Sequence, residues 1–175
     1  MKILVAYYSR TGTTQRLAKA LARWLGADCD PITEDGRYAG RLGFGRAYLA
    51  GLGHGQCPIH ALLDPIPYDH IIIGGPVWAG HVPSPLRQYL TNPAIASRLV
   101  GVFCTGWTIA DGTGFFAEVE RLVGHSQFRR CSLAQHLCDA DLYQYPIAKF
   151  SRTLFPVLAK SRKNLVIGNL NYALE

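Results

Sequence analysis

The chain has 175 residues, 49% of them apolar and 17% charged, with a formal net charge of +6; this fits one folded domain, residues 1–175, with a substantial core and excludes a disordered chain. No apolar run approaches the roughly eighteen residues that a membrane span needs, and the basic residues are scattered and form no nucleic-acid module. The five cysteines, Cys29, Cys57, Cys104, Cys131 and Cys138, are odd in number, contain no Cys-x-x-Cys and stand at no ligand spacing from the six histidines, which predicts reduced thiols, a cytoplasmic protein and no metal centre.

In chain order, residues 2–8 are a short apolar run that reads as a buried strand, broken by Ser9-Arg10 and lacking the small-residue cleavage site of a signal peptide. The turn Ser9-Arg10-Thr11-Gly12-Thr13-Thr14 follows at once, and residues 15–25 repeat apolar positions at helical spacing (Leu17, Ala18, Leu21, Ala22, Leu25) before Gly26 ends them. Strand, hydroxyl-rich turn and helix start together aim backbone N–H groups and the positive end of a helix dipole at one point, which suits a phosphate. Ser and Thr are also ordinary helix caps, but four hydroxyls within six residues around a glycine exceed what capping needs. The turn is neither a P-loop, since no Gly-Lys-Ser/Thr follows, nor a dinucleotide fingerprint, since Gly12 stands alone.

Residues 27–32 predict a second strand at the sheet edge, where Pro31 is tolerated. Residues 34–56 are irregular and rich in glycine, with a short helix expected over 46–52. Such a segment is either a surface excursion packed by its aromatics or a flap that brings Arg41, Arg46 or His54 toward an anionic substrate. Residues 69–73 are a β-branched third strand, buried on both faces. It ends in Gly74-Gly75-Pro76-Val77-Trp78-Ala79-Gly80-His81-Val82-Pro83, where small residues would let a flat ring approach the backbone and Trp78 offers a stacking face. A helix is expected over 85–90 with Pro85 in its first turn. The fourth strand, 98–103, leads into a third polar and aromatic loop, 104–114, which contains Thr105, Gly106 and Trp107. A helix over 115–123, a fifth strand over 130–137 and a closing helix over 141–160 complete the pattern. Residues 161–175 have no firm assignment, with Val166 and Ile167 suggesting a small extra strand.

Strands alternating with helices predict an α/β fold with a doubly wound, five-stranded parallel sheet and helices on both faces. Its loops at the carboxyl edge would hold the ligand. The spelling [Ser/Thr]-x-Thr-Gly-x-Thr, filled by Ser9, Thr11, Gly12 and Thr14 directly after the first strand, resembles the FMN-phosphate loop of the flavodoxin family. The run Gly-Pro-Val-Trp-x-Gly-x-x-Pro-x-Pro-x-x-x-Tyr-Leu over 75–90 resembles the second flavin loop of reductases in that family, and 104–114 resembles the third. The resemblance covers roughly residues 1–155. It implies strand order 2-1-3-4-5 and FMN as cofactor, held by Ser9, Arg10, Thr11, Gly12, Thr13 and Thr14 at the phosphate. Pro76, Val77, Trp78, Ala79 and Gly80, with Thr105, Gly106 and Trp107, would contact the ring.

No nucleophile or acid-base constellation stands out in the sequence. His81 is the candidate catalytic proton donor beside a reduced flavin, whereas Cys104 reads as a buried, inert thiol. Three functions compete. One is an FMN oxidoreductase passing electrons from NAD(P)H or a protein donor to a quinone-like acceptor. Another is a flavodoxin that carries electrons between redox partner proteins without turnover of its own. The third, a receiver-type module, would need an acidic cluster where Tyr7-Tyr8-Ser9-Arg10 stands. The basic charge and the 34–56 segment favour the oxidoreductase, because flavodoxins that dock on basic partners are acidic.

Overall fold

The computed structural model describes residues 1–34 and 58–171, with side chains as far as residue 157. The 34–56 flap, its helix and its Arg41, Arg46 and His54 therefore lie outside the described residues, apart from Glu34. The strands are β1 (Ile3–Tyr8), β2 (Asp28–Glu34), β3 (Ile59–His60), β4 (His70–Pro76), β5 (Leu99–Gly106) and β6 (Arg129–Ala134). The helices are α1 (Thr13–Leu25), α2 (Ser84–Leu90), α3 (Pro93–Ala96), α4 (Gly112–Val123), α5 (Gln135–Asp139) and α6 (Gln144–Asn171).

The sheet order is β3-β2-β1-β4-β5-β6. Without β3, the five parallel strands follow the expected order. The strand count is corrected from five to six, because β3 pairs antiparallel with the end of β2 through Thr33 with His60 and Glu34 with Ile59. This short pairing begins beyond Pro31, so the proline keeps an edge position although β2 is no longer the outermost strand. β1 and β4 are buried along nearly their whole length, since both have strand neighbours and helices cover both faces. On one face Leu17 and Leu21 of α1 and Ile147, Phe150 and Leu154 of α6 pack on Val5, Ile72 and Phe103. On the other, Leu86 and Leu90 of α2, Ile95 of α3 and Phe115 and Val119 of α4 pack on Leu4, Ile73 and Val102.

Three boundaries differ from expectation. The fifth strand stops at Ala134, and 135–137 belong to α5. Ala134 pairs with Gly106, the last residue of β5, so further residues have no strand to bond. Val166 and Ile167 lie within α6 and not in a strand; two β-branched residues cost a helix only tenths of a kcal/mol each, roughly. α6 also runs through Pro156, where one backbone hydrogen bond is lost.

The third difference concerns Gly74 and Gly75, which sit inside β4 and not in a loop. A Cβ on Gly74 would lie 2.0 Å from Phe103 Cζ, and one on Gly75 would lie 2.5 Å from Leu86 Cδ2. These glycines admit core side chains, not a ligand ring. Gly74→Ala is expected to lower stability by roughly 1–3 kcal/mol, the usual cost of overpacking. Phe103→Leu in the same chain should restore part of it, as read by urea denaturation.

Candidate functional site

The chain leaves β1 on one side and returns through β4 on the other, so the carboxyl ends of these two strands open a crevice at the switch point of the sheet. A cleft of about 410 Å³ lies there, within the roughly 300–1,000 Å³ of small-molecule sites.

The loop after β1 builds one end. Gly12 has φ +89° and opens α1 as its N-cap, a left-handed conformation that an L side chain adopts only at a cost. Among the described residues no side chain caps this helix end, and its first turn holds no acidic residue, so the positive pole of the dipole is left for a ligand. Arg10, Thr11, Thr13 and Thr14 line the cleft. Thr11 Oγ1 is 3.4 Å from Thr13 Oγ1, and Thr14 Oγ1 is 3.0 Å from Thr105 Oγ1. The second contact is buried and ties the first loop to the end of β5. Among the described residues Ser9 Oγ is buried with no hydrogen-bond partner, an unmet donor within this loop. Ser9 and Gly12 shape the loop without facing the cleft.

The second wall is Pro76, Val77, Trp78, Ala79 and Gly80. Trp78 and His81 close a tight turn, Trp78 N–H donating to His81 O at 3.0 Å and His81 N–H to Trp78 O at 2.8 Å. Its central residues, Ala79 and Gly80, have φ +50° and +81°, as a primed hairpin turn requires. Trp78 meets Tyr8 edge to face, with centroids 5.5 Å apart. The third wall is Thr105, Gly106 and Trp107, with Trp107 80% exposed.

His81 does not line the cleft. Its half-exposed ring puts Nδ1 3.2 Å from Glu118 Oε2. Glu118 is buried on α4 and also accepts Val82 N–H at 2.9 Å and Arg87 Nε–H at 2.7 Å. Burial pushes the Glu118 carboxyl up, but the Val82 N–H and the Arg87 guanidinium outweigh it and hold the group below the usual carboxylate range. Cys104 is buried, and its thiol is pushed up to about 12 by that burial, so it stays protonated and unreactive at neutral pH.

Two cleft residues escaped the sequence reading. Asp111 accepts the N–H and hydroxyl of Thr108, each at 2.9 Å, and these bonds hold its carboxyl below the ordinary range. The spacing Thr108-x-x-Asp111 is a capping-box signal that was present in the sequence. Gln135 had no such signal, since it fell inside an expected strand.

A proposed flavoprotein from Bacteroides eggerthii DSM 20697 superposes at TM-score 0.63, covering 81% of this chain and 95% of that one at 23% identity. A second, from Bacteroides uniformis ATCC 8492, gives TM-score 0.64 over 86% and 97% at 20% identity. A flavoprotein in complex with FMN from Lactobacillus acidophilus NCFM gives 0.58 over 79% and 97% at 19% identity. The fold is flavodoxin-like. No protein-family model matches the chain, and no curated protein matches it. Among the described residues no helix is long and apolar enough to cross a membrane. In this flavodoxin-like frame the three loops read from the sequence converge on one crevice.

Proposed function

We propose that the cleft binds FMN, phosphate first, against the loop 9–14, and that the protein is an FMN-dependent oxidoreductase. The observation that carries this reading is the N-terminus of α1: it has no side-chain cap, is opened by a left-handed glycine and faces a cleft lined by threonine hydroxyls. Between Trp78 and Trp107 the second and third walls suit a flat aromatic ring. When bound, FMN supplies the electron-transfer chemistry, and the protein supplies orientation and access.

Under this reading Thr11, Thr13 and Thr14 hold the phosphate, Arg10 adds positive charge nearby, and Asp111 keeps the third loop closed beside the ring. His81, bonded to Glu118 and away from the cleft wall, is a poorer candidate for the proton donor than its loop position suggested. The electrons would pass from NAD(P)H or a protein donor to a quinone-like acceptor, which the exposed Trp107 face leaves room to approach. An electron carrier between redox proteins is the second reading, and the same open edge would serve it.

Titration of the purified chain with FMN tests the site, followed by visible absorbance and tryptophan quenching. Saturable one-to-one binding is expected. Thr13→Val should weaken it at least about tenfold, because a hydrogen bond to a charged group contributes roughly 1.5–3 kcal/mol. Absence of binding would overturn the reading. NADPH turnover with a soluble quinone separates enzyme from carrier, since a carrier alone has negligible rate.

A further inference from the structure

Glu118 is a buried carboxylate that the phosphate loop and the aromatic walls do not use. Its two oxygens divide their partners. Oε1 meets Arg87 Nε at 2.7 Å and Arg121 at 3.7 Å, while Oε2 meets Val82 N–H at 2.9 Å and His81 Nδ1 at 3.2 Å. Arg87 also donates to Val82 O at 3.2 Å. The Val82 residue is thus gripped on both its N–H and its carbonyl. Next to it stands the turn 78–81, whose paired backbone groups transmit that grip to Trp78, Ala79 and Gly80 on the cleft wall.

The same helix face touches the turn a second time. A Cβ on Gly114 would lie 2.5 Å from Gly80 O, so the turn rests directly on α4 one helical turn before Glu118. Positions four apart lie on one face: Gly114 seats the turn and Glu118 pins it. The turn needs pinning, because Ala79 at φ +50° is held in a region an L residue enters only at a cost.

We propose that Glu118 is a positioning residue that pins the turn 78–81 through Val82 and His81, so that the shape of the cleft wall follows the protonation of His81. The charged groups facing the contact are Arg87 from α2, Arg121 from α4 itself and His81 from the turn. A cationic ring makes an ion pair with Glu118, whereas a neutral ring offers at most one N–H. The grip on the turn is therefore strongest when the ring is charged and loosens as pH rises. The consequence for FMN affinity rests on the function proposed above, but the consequence for the turn does not.

The test uses the full chain with Trp24→Phe and Trp107→Phe, which leaves Trp78 as the single tryptophan of three. Its emission is expected to follow one proton between about pH 5 and 8, the range in which histidines change charge. His81→Gln should abolish that transition. Glu118→Gln should shrink its amplitude, because the amide forms no ion pair with a cationic ring and no longer couples the ring to the turn. If Glu118→Gln does not fold, Glu118→Asp keeps the charge, withdraws it from the ring and should shrink the amplitude likewise.

A flat Trp78 profile, a transition that survives His81→Gln, or a Glu118 variant that lowers Tm while leaving the amplitude in place would each overturn the proposal. FMN binding is then measured for the chain with all its tryptophans and for His81→Gln across the same range. The affinity ratio between the two should grow about twofold to fivefold as pH falls, and a constant ratio would count against the proposal. If FMN binds neither protein, the functional reading fails, while the Trp78 titration still decides the role of Glu118.

Discussion

Glu118→Ala is expected to destabilise the protein by about 3–5 kcal/mol, the range for removing one partner of a buried ion pair. The reason is the group left behind. Arg87 is only 13% exposed along its side chain, and without Glu118 its guanidinium loses the carboxylate that meets it at 2.7 Å. Val82 N–H, also buried, loses its acceptor, and a buried donor without a partner is costly on its own. Glu118→Gln keeps the volume and one acceptor oxygen and should lose less.

The sign of the pH dependence follows from the lowered carboxyl. Its folded-state value lies below its unfolded value, so the stabilisation is fully present above the ordinary carboxylate range of about 4.3. It is lost as pH falls through the folded-state value. Urea denaturation from about pH 5 downward should therefore show a gap between wild type and Glu118→Gln that narrows as the carboxyl becomes protonated. A gap that is constant with pH would mean that packing, not charge, makes the difference.

Local signals in the sequence located the cleft well, because its parts are local. A hydroxyl-rich turn between an apolar run and a helical repeat is visible within fourteen residues, and the structure puts Arg10, Thr11, Thr13 and Thr14 on the cleft wall. The loops at Trp78 and Trp107 follow strands whose β-branched or apolar runs are equally plain. What could not be read depends on residues distant in sequence. Glu118 is an ordinary helix position until α2 brings Arg87 to it and the loop after β4 brings Val82. Gly74 and Gly75 look like loop glycines until Phe103 and Leu86 occupy the space beside them. Strand β3 has two residues and pairs antiparallel at an edge, which is too short for any period to register. His81 illustrates the same limit: its place in a loop was legible, but not that its ring turns to a buried carboxylate.

Gly114→Ala is expected to damage the cleft more than the fold. The added methyl would sit 2.5 Å from Gly80 O, and backbone oxygen cannot rotate away as a side chain can. Either α4 or the turn 78–81 must move. α4 is anchored by Phe115, Phe116 and Val119, all buried, while Ala79 at the tip of the turn is exposed and strained. The turn is the softer partner, so the displacement goes into the cleft wall. An overpacking strain of roughly 1–3 kcal/mol borne by the turn corresponds to about a fivefold to 150-fold loss of ligand affinity if binding must restore the original wall. The change in urea midpoint should stay small by comparison. Gly114→Ser should behave like the alanine variant, whereas Gly124→Ala, which meets nothing within 4 Å but sits at φ +77°, should lower stability and leave affinity alone. Equal loss of affinity from both sites would mean that the turn does not follow α4. Unchanged affinity in Gly114→Ala would mean that the helix yields and that the wall is held by Glu118 alone.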